Sequence, residues 1–230
     1  MARPCHALAA RAPAFRPTLT GVSPRTRHVA WTGWDDDPDR LEAATVTVRG
    51  DRLAALGTSR ATTYATAWAL RTGPGWVTEH LDVSVRGLGW SRHLDLVRTP
   101  DGAWRADARE TGTPPSGLAA PGLADPATLD GAQDCDIALC PVTNTMPILR
   151  LGLLGDRPPT HETHLVMAWV EVPSLRVLRS DQVYAAREPL DPATGRGVVT
   201  YTSATRDFTA DLTVDADGLV VDYPELARRL

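Results

Sequence analysis

Asp134 and Asp136 are the residues whose types and spacing could most directly do chemistry. They lie in an alternating run, residues 134–139, that stops before Pro141 and reads as a strand, so both carboxylates project from one face. Neighbouring carboxylates raise one another's pKa and can divide acid and base work, as in glycosidases. One reading is therefore a hydrolase or isomerase of a sugar-like or lipid-like substrate, with Asp130 able to approach the pair. The other reading is structural. Carboxylates beside a helix start accept its unpaired N–H groups, and either could pair with Arg150.

Other candidate chemistry is weaker. His161-Glu162-Thr163-His164 carries its histidines three apart, entering a strand, so they face opposite ways. A zinc site of this kind needs them four apart on a helix. His28, His80 and His93 have no partners identifiable by spacing, and there is no nucleophile elbow, phosphate loop or dinucleotide fingerprint. No metal or cofactor is expected. Aromatic pairs remain: Trp68 with Tyr64, Trp169 with Met167, and Tyr184 with Gln182 could line an apolar cavity. A filled core needs the same residues.

The element that must position the aspartates is the stretch after them, residues 141–151, reading PVTNTMPILRL. Thr143 and Asn144 are good helix N-caps, because their side-chain oxygens accept from N–H groups one turn on. Pro147 fits only a first turn, where its missing donor costs nothing. Met146, Ile148, Leu149 and Leu151 supply an apolar face, Arg150 is the single charge, and Gly152 is a natural stop. A strand, a capped turn and a short helix follow from these residues.

Around this centre the pattern is almost entirely period two from His28 onward. Ala44, Val46 and Val48 share a face; so do Tyr64, Thr66, Trp68 and Leu70, then Leu81, Val83 and Val85, then Trp90, Arg92, Leu94 and Leu96. Gly and Asp-Gly turns separate the runs, and a short strand is expected at Trp104. Residues 110–128, rich in Gly, Pro and Ala, have no periodicity and read as a surface excursion or lid. Residues 162–172 are apolar on both faces and so buried on both sides, and further runs cover 177–187, 198–203, 208–214 and 219–223. About ten short strands and one short helix indicate a mainly β fold. The expected architecture is an antiparallel curled sheet, a spiral β-roll or partly open barrel.

The chain has 230 residues, enough for a full core in one domain, here residues 27–230. A net charge of −4 gives nothing to steer it to nucleic acid. Every basic residue is arginine, and seven tryptophans stand against two phenylalanines. Cys5, Cys135 and Cys140 make no disulfide framework, and positions 135 and 140 point to opposite faces of an extended strand. No window reaches the roughly 20 apolar residues that span a bilayer. Residues 1–26 hold no acid and no apolar run long enough for a signal peptide, and read as a flexible extension. A cytoplasmic location is expected.

The central box also carries a resemblance. Leu129-Asp130-Gly131, then Asp134 and Asp136, then PVTNTMPILRL resemble the pattern of a bacterial family known as putative glycolipid-binding proteins. Trp31 with Trp34-Asp35-Asp36, Gln182 with Tyr184, Val214-Asp215, Gly218-Leu219-Val220 and Asp222-Tyr223-Pro224 extend it over residues 27–230. Val142 stands where the family has Phe, and Leu149 where it has the first of two arginines, which leaves Arg150 alone. The resemblance implies a spiralling β-roll like that of bacterial lipoprotein carriers, which hold acyl chains in a curved-sheet cavity. It also implies a non-enzymatic partner role toward an amphipathic small molecule, a glycolipid or lipid. Arg150, Asn144, Asp134 and Asp136 would orient its head group, while Trp68, Trp169, Gln182 and Tyr184 would line the apolar groove. The acid–base hydrolase and a ligand-free structural module are the readings from other classes.

Overall fold

In Leu41–Arg49 the side chains of Glu42, Ala44, Val46 and Val48 are buried while their neighbours face out. Period two therefore places one face of a strand inward, and the same rule builds most of the molecule. The computed structural model describes residues 23–34 and 37–230. Fourteen strands occur among the described residues. The first seven are β1 (Arg25–Gly33), β2 (Leu41–Arg49), β3 (Arg52–Arg60), β4 (Tyr64–Thr72), β5 (Thr78–Gly87), β6 (Trp90–Arg98) and β7 (Trp104–Gly112). After a long connection come β8 (Asp134–Ile137), the helix α1 (Thr145–Arg150), β9 (Thr163–Val170) and β10 (Val177–Asp191). The chain ends with β11 (Arg196–Ser203), β12 (Phe208–Asp215), β13 (Val220–Tyr223) and β14 (Ala227–Arg229).

They form one sheet in the order β7-β6-β5-β4-β3-β2-β1-β14-β13-β12-β11-β10-β9-β8. Each neighbouring pair is antiparallel except β8 with β9, which is parallel. Strand β1 joins the two meanders by pairing β2 on one side and β14 on the other. The sheet curls without closing into a barrel. Its end strand β8 turns inward to meet β5, where the Thr78 amide donates to the Gln133 carbonyl at 3.0 Å and the Cys135 amide donates to Thr78 Oγ1 at 3.0 Å. Met167, Ala168 and Val170 of β9 are all buried, so both faces of that strand are covered, as its double apolar pattern requires.

The fold has more strands than the pattern alone suggested. Strand β3 turns Leu53, Ala55 and Gly57 inward and leaves Leu56 exposed, so its small residues barely alternate in hydropathy. Gly57 has no room for a side chain: a Cβ there would lie 2.4 Å from the Trp68 ring. Strand β1 begins at Arg25, inside the stretch expected to be an extension, and residues 1–22 of that stretch lie outside the described residues. Strand β7 runs nine residues, to Gly112. The connection after it is tied down. Buried Arg92 donates to the carbonyls of Ala119 and Ser174 and to Glu110, and Gly122 pairs with Arg176.

The interior of the curl is filled by the chain itself. Leu129, Val142, Met146, Ile148 and Leu153 are fully buried. The box touches both halves of the sheet: Met146 Sδ lies 3.7 Å from Thr78 Oγ1 of β5, and Leu149 and Thr145 pack on Gly218 in the β12–β13 turn. Gly152, at φ +64°, ends the helix as its sequence position indicated. No helix among the described residues is long and apolar enough to cross a membrane.

Candidate functional site

The strand β8 places Asp134 and Asp136 on one face, and the box then gives each a different partner. Asp134 is fully buried and accepts two hydrogen bonds from Arg150, at 2.6 and 2.5 Å. Burial pushes its carboxyl above the usual range, while the two-pronged guanidinium pulls it back down. This pair clips the end of α1 to β8. Asp136 accepts from Thr143 Oγ1 at 2.9 Å and Gln182 Nε2 at 2.6 Å. Burial raises its pKa too, opposed by Arg206, whose Nη2 lies 3.9 Å away.

Asn144 does not cap the helix, although it occupies the N-cap position. The 3₁₀ turn Pro141–Asn144 runs straight into α1, so the helix start needs no side-chain acceptor from it. Its Nδ2 instead donates to Tyr184 Oη at 2.8 Å, and Tyr184 Oη donates to Gln182 Oε1 at 3.3 Å. A continuous network therefore runs Asn144–Tyr184–Gln182–Asp136–Thr143. Burial holds the Tyr184 phenol far above its ordinary pKa, so it stays neutral and keeps its donor.

Two members of this network, Asp136 and Asn144, line a groove of about 400 Å³. Residues 137–140 with Asp136 and Asn144 make its inner wall; Trp169, Tyr201, Phe208 and Tyr223 make its aromatic wall. Tyr201 is packed edge-on against Tyr184 and Tyr223, with centroids 5.3 and 5.9 Å apart. Burial, reinforced by the Asp136 charge, pushes the Tyr201 phenol up to about 12. Arg206, on the β11–β12 turn, lies over the Trp169 ring with Cζ 4.5 Å from its centroid and donates to Tyr201 Oη at 3.0 Å. Glu225 and Leu226 complete the rim.

The rim carries backbone strain. Leu139, Asp207 and Glu225 have φ of +66°, +50° and +65°, a region costly for residues with a side chain. Buried Arg40 holds two of these turns by donating to the carbonyls of Leu139 and Leu226. Beneath that clamp sits Glu42, buried, its carboxyl pushed by burial to about 7. The Cys140 thiol and Arg40 both oppose that shift weakly. Arg40 stands 3.9 Å from Glu42, donates through its two terminal nitrogens to the two carbonyls, and pairs through Nε with Asp37 at 3.5 Å.

Of the residues singled out from the sequence, Asp136, Asn144 and Trp169 line the groove. Gln182 and Tyr184 stand behind it in the network, and Asp134 with Arg150 forms the separate clip. Trp68 is elsewhere, buried against Gly57 in the first half of the sheet. His164 faces Glu162 at an exposed strand end, and no cluster of three or more metal-ligating side chains is present among the described residues. Tyr201, Phe208 and Arg206 were not singled out from the sequence, and Tyr223 was named there only within the family resemblance. The expected strands 198–203, 208–214 and 219–223 contain the three aromatic residues, but nothing local marked a turn arginine.

A family model described as putative glycolipid-binding matches residues 28–229, nearly the whole described chain. The chain belongs to this family. No curated protein matches it. Among solved structures, it is similar to the crystal structure of a DUF1089 family protein from Pseudomonas aeruginosa, at 25% identity and a TM-score of 0.55. That match covers 98% of this chain and 100% of the other. The putative glycolipid-binding family thus supplies a fold and a name, and the groove supplies the residues on which a function must be argued.

Proposed function

We propose that the chain is a non-enzymatic binding protein for an amphipathic ligand of the glycolipid class, received in the groove beside residues 137–144. The observation that carries this reading is the composition of that groove. Four aromatic rings face a wall that presents Asp136 and Asn144, held in one hydrogen-bonded network. Such pairing of apolar area with a few fixed polar groups is the ordinary make-up of a small-molecule site. Asp136, Asn144 and Trp169 are the contact residues in this reading; Gln182 and Tyr184 hold them in place, and Asp134 with Arg150 holds the helix.

The same geometry speaks against an aspartate acid–base pair. Asp134 has both oxygens committed to Arg150 and no exposure, so it cannot exchange a proton with a substrate in the groove. Native mass spectrometry of freshly purified protein, followed by lipid extraction, tests the proposal. A stoichiometric adduct of glycolipid mass is expected, and Trp169→Ala should lose it. A parent protein that carries no adduct and binds none from a total lipid extract would refute the proposal.

A further inference from the structure

Resting on that reading, we infer that the groove receives only the hydroxylated ring of its ligand, a glycoside, and leaves any alkyl chain outside the protein. A curved sheet that stores acyl chains needs an open apolar channel along its inner face. Here that space is occupied: Val142 of the 3₁₀ turn and Met146 and Ile148 of α1 have no exposure, and the helix bridges Thr78 on one side of the curl to Gly218 on the other. The groove left beside residues 137–144 holds about 400 Å³, near the lower end of the roughly 300–1,000 Å³ typical of small-molecule sites.

The lining suits a ring with hydroxyls better than a methylene chain. A carboxylate offers about four acceptor positions, and Asp136 has two filled, by Thr143 and Gln182. Arg206 has five N–H donors, and one of its nitrogens is bound to Tyr201 Oη. An acyl chain placed here would desolvate these groups without replacing their bonds with water, which is costly. A pyranose ring presents C–H faces to Trp169, Tyr201, Phe208 and Tyr223 while its hydroxyls meet Asp136, Asn144 and Arg206. A free glycoside and a lipid head group share this chemistry, and chain length separates them.

The test is a titration of the full chain, followed by calorimetry, with methyl and octyl glycosides of glucose, galactose, mannose, N-acetylglucosamine and glucuronic acid, the octyl forms kept below their micelle concentrations. At least one methyl glycoside should bind, and its octyl counterpart should bind within about threefold of it. Arg206 is partly exposed on a turn, so Arg206→Ala keeps the fold, and it should weaken that binding at least tenfold. An affinity that rises by about fourfold for each methylene, the value of full burial, would overturn the inference and leave the proposed function standing. Binding of palmitate with no methyl glycoside binding would overturn it in the same way, as would an Arg206→Ala variant with parental affinity. Failure of every glycoside and of palmitate, together with no co-purified adduct, would remove the proposed function and the inference together.

Discussion

Replacing Asp134 with Asn keeps the shape of the side chain and removes the charge that holds Arg150. Asp134 is fully buried, and both bonds in the pair are short, at 2.6 and 2.5 Å. Removing one partner of a buried ion pair typically costs about 3–5 kcal/mol, because the other charge is left without compensation. Arg150 retains 15% side-chain exposure, and the Asn carbonyl can still accept one bond, which places the expected loss near 3 kcal/mol. For a chain of this size that corresponds to a fall in melting temperature of about 6–12 °C. Urea denaturation should show a lower midpoint with an unchanged slope, since the exposed surface on unfolding is the same. Removing both charges, as Asp134→Leu with Arg150→Met, should recover most of the loss, because no orphan charge remains. An Asp134→Asn variant as stable as the parent would refute the clip and leave α1 held by apolar packing alone.

Two further outcomes follow from the site. The Glu42 carboxyl is protonated in the folded chain up to about pH 7 but ionises near 4.5 when unfolded, so the folded state binds the extra proton in that window. Stability from this group is present below pH 4.5 and lost as pH rises toward 7; Glu42→Gln should remove that slope and gain on the order of 3 kcal/mol over the parent at pH 8. Melting temperatures of both proteins from pH 4.5 to 8 check this, and parallel curves would show Glu42 to be ionised in the fold. Asn144→Ala should cost about 1–3 kcal/mol through the buried bond to Tyr184, and a cycle with Tyr184→Phe should show coupling between the two. Additive losses would mean that Asn144 acts without Tyr184.

In the strongly alternating runs, which face turns inward was legible from the residues alone, because period two is a local property of extended backbone. Val46 and Val48, or Leu94 and Leu96, are buried as their alternation requires, and the box between Pro141 and Gly152 forms the turn and short helix its prolines and apolar spacing demand. Strand β3 was hidden because Ala55 and Gly57, the latter leaving room for the Trp68 ring, carry little hydropathic contrast. The site was legible only in part. Trp68 and Trp169 were both candidates for a cavity wall, yet one is buried in the core and the other walls a groove, because only pairing across the sheet decides what faces them. Asn144 has the sequence position of a cap and the contacts of a core residue, since Tyr184 reaches it from 40 residues away. Arg206 joins Trp169 and Asp136 only because β9 and β11 both pair with β10, which no local spacing encodes. Whether the curl was hollow or filled depended on the same long-range fact: the box that the sequence marked as a helix is laid inside the sheet, touching β5 and the β12–β13 turn at once.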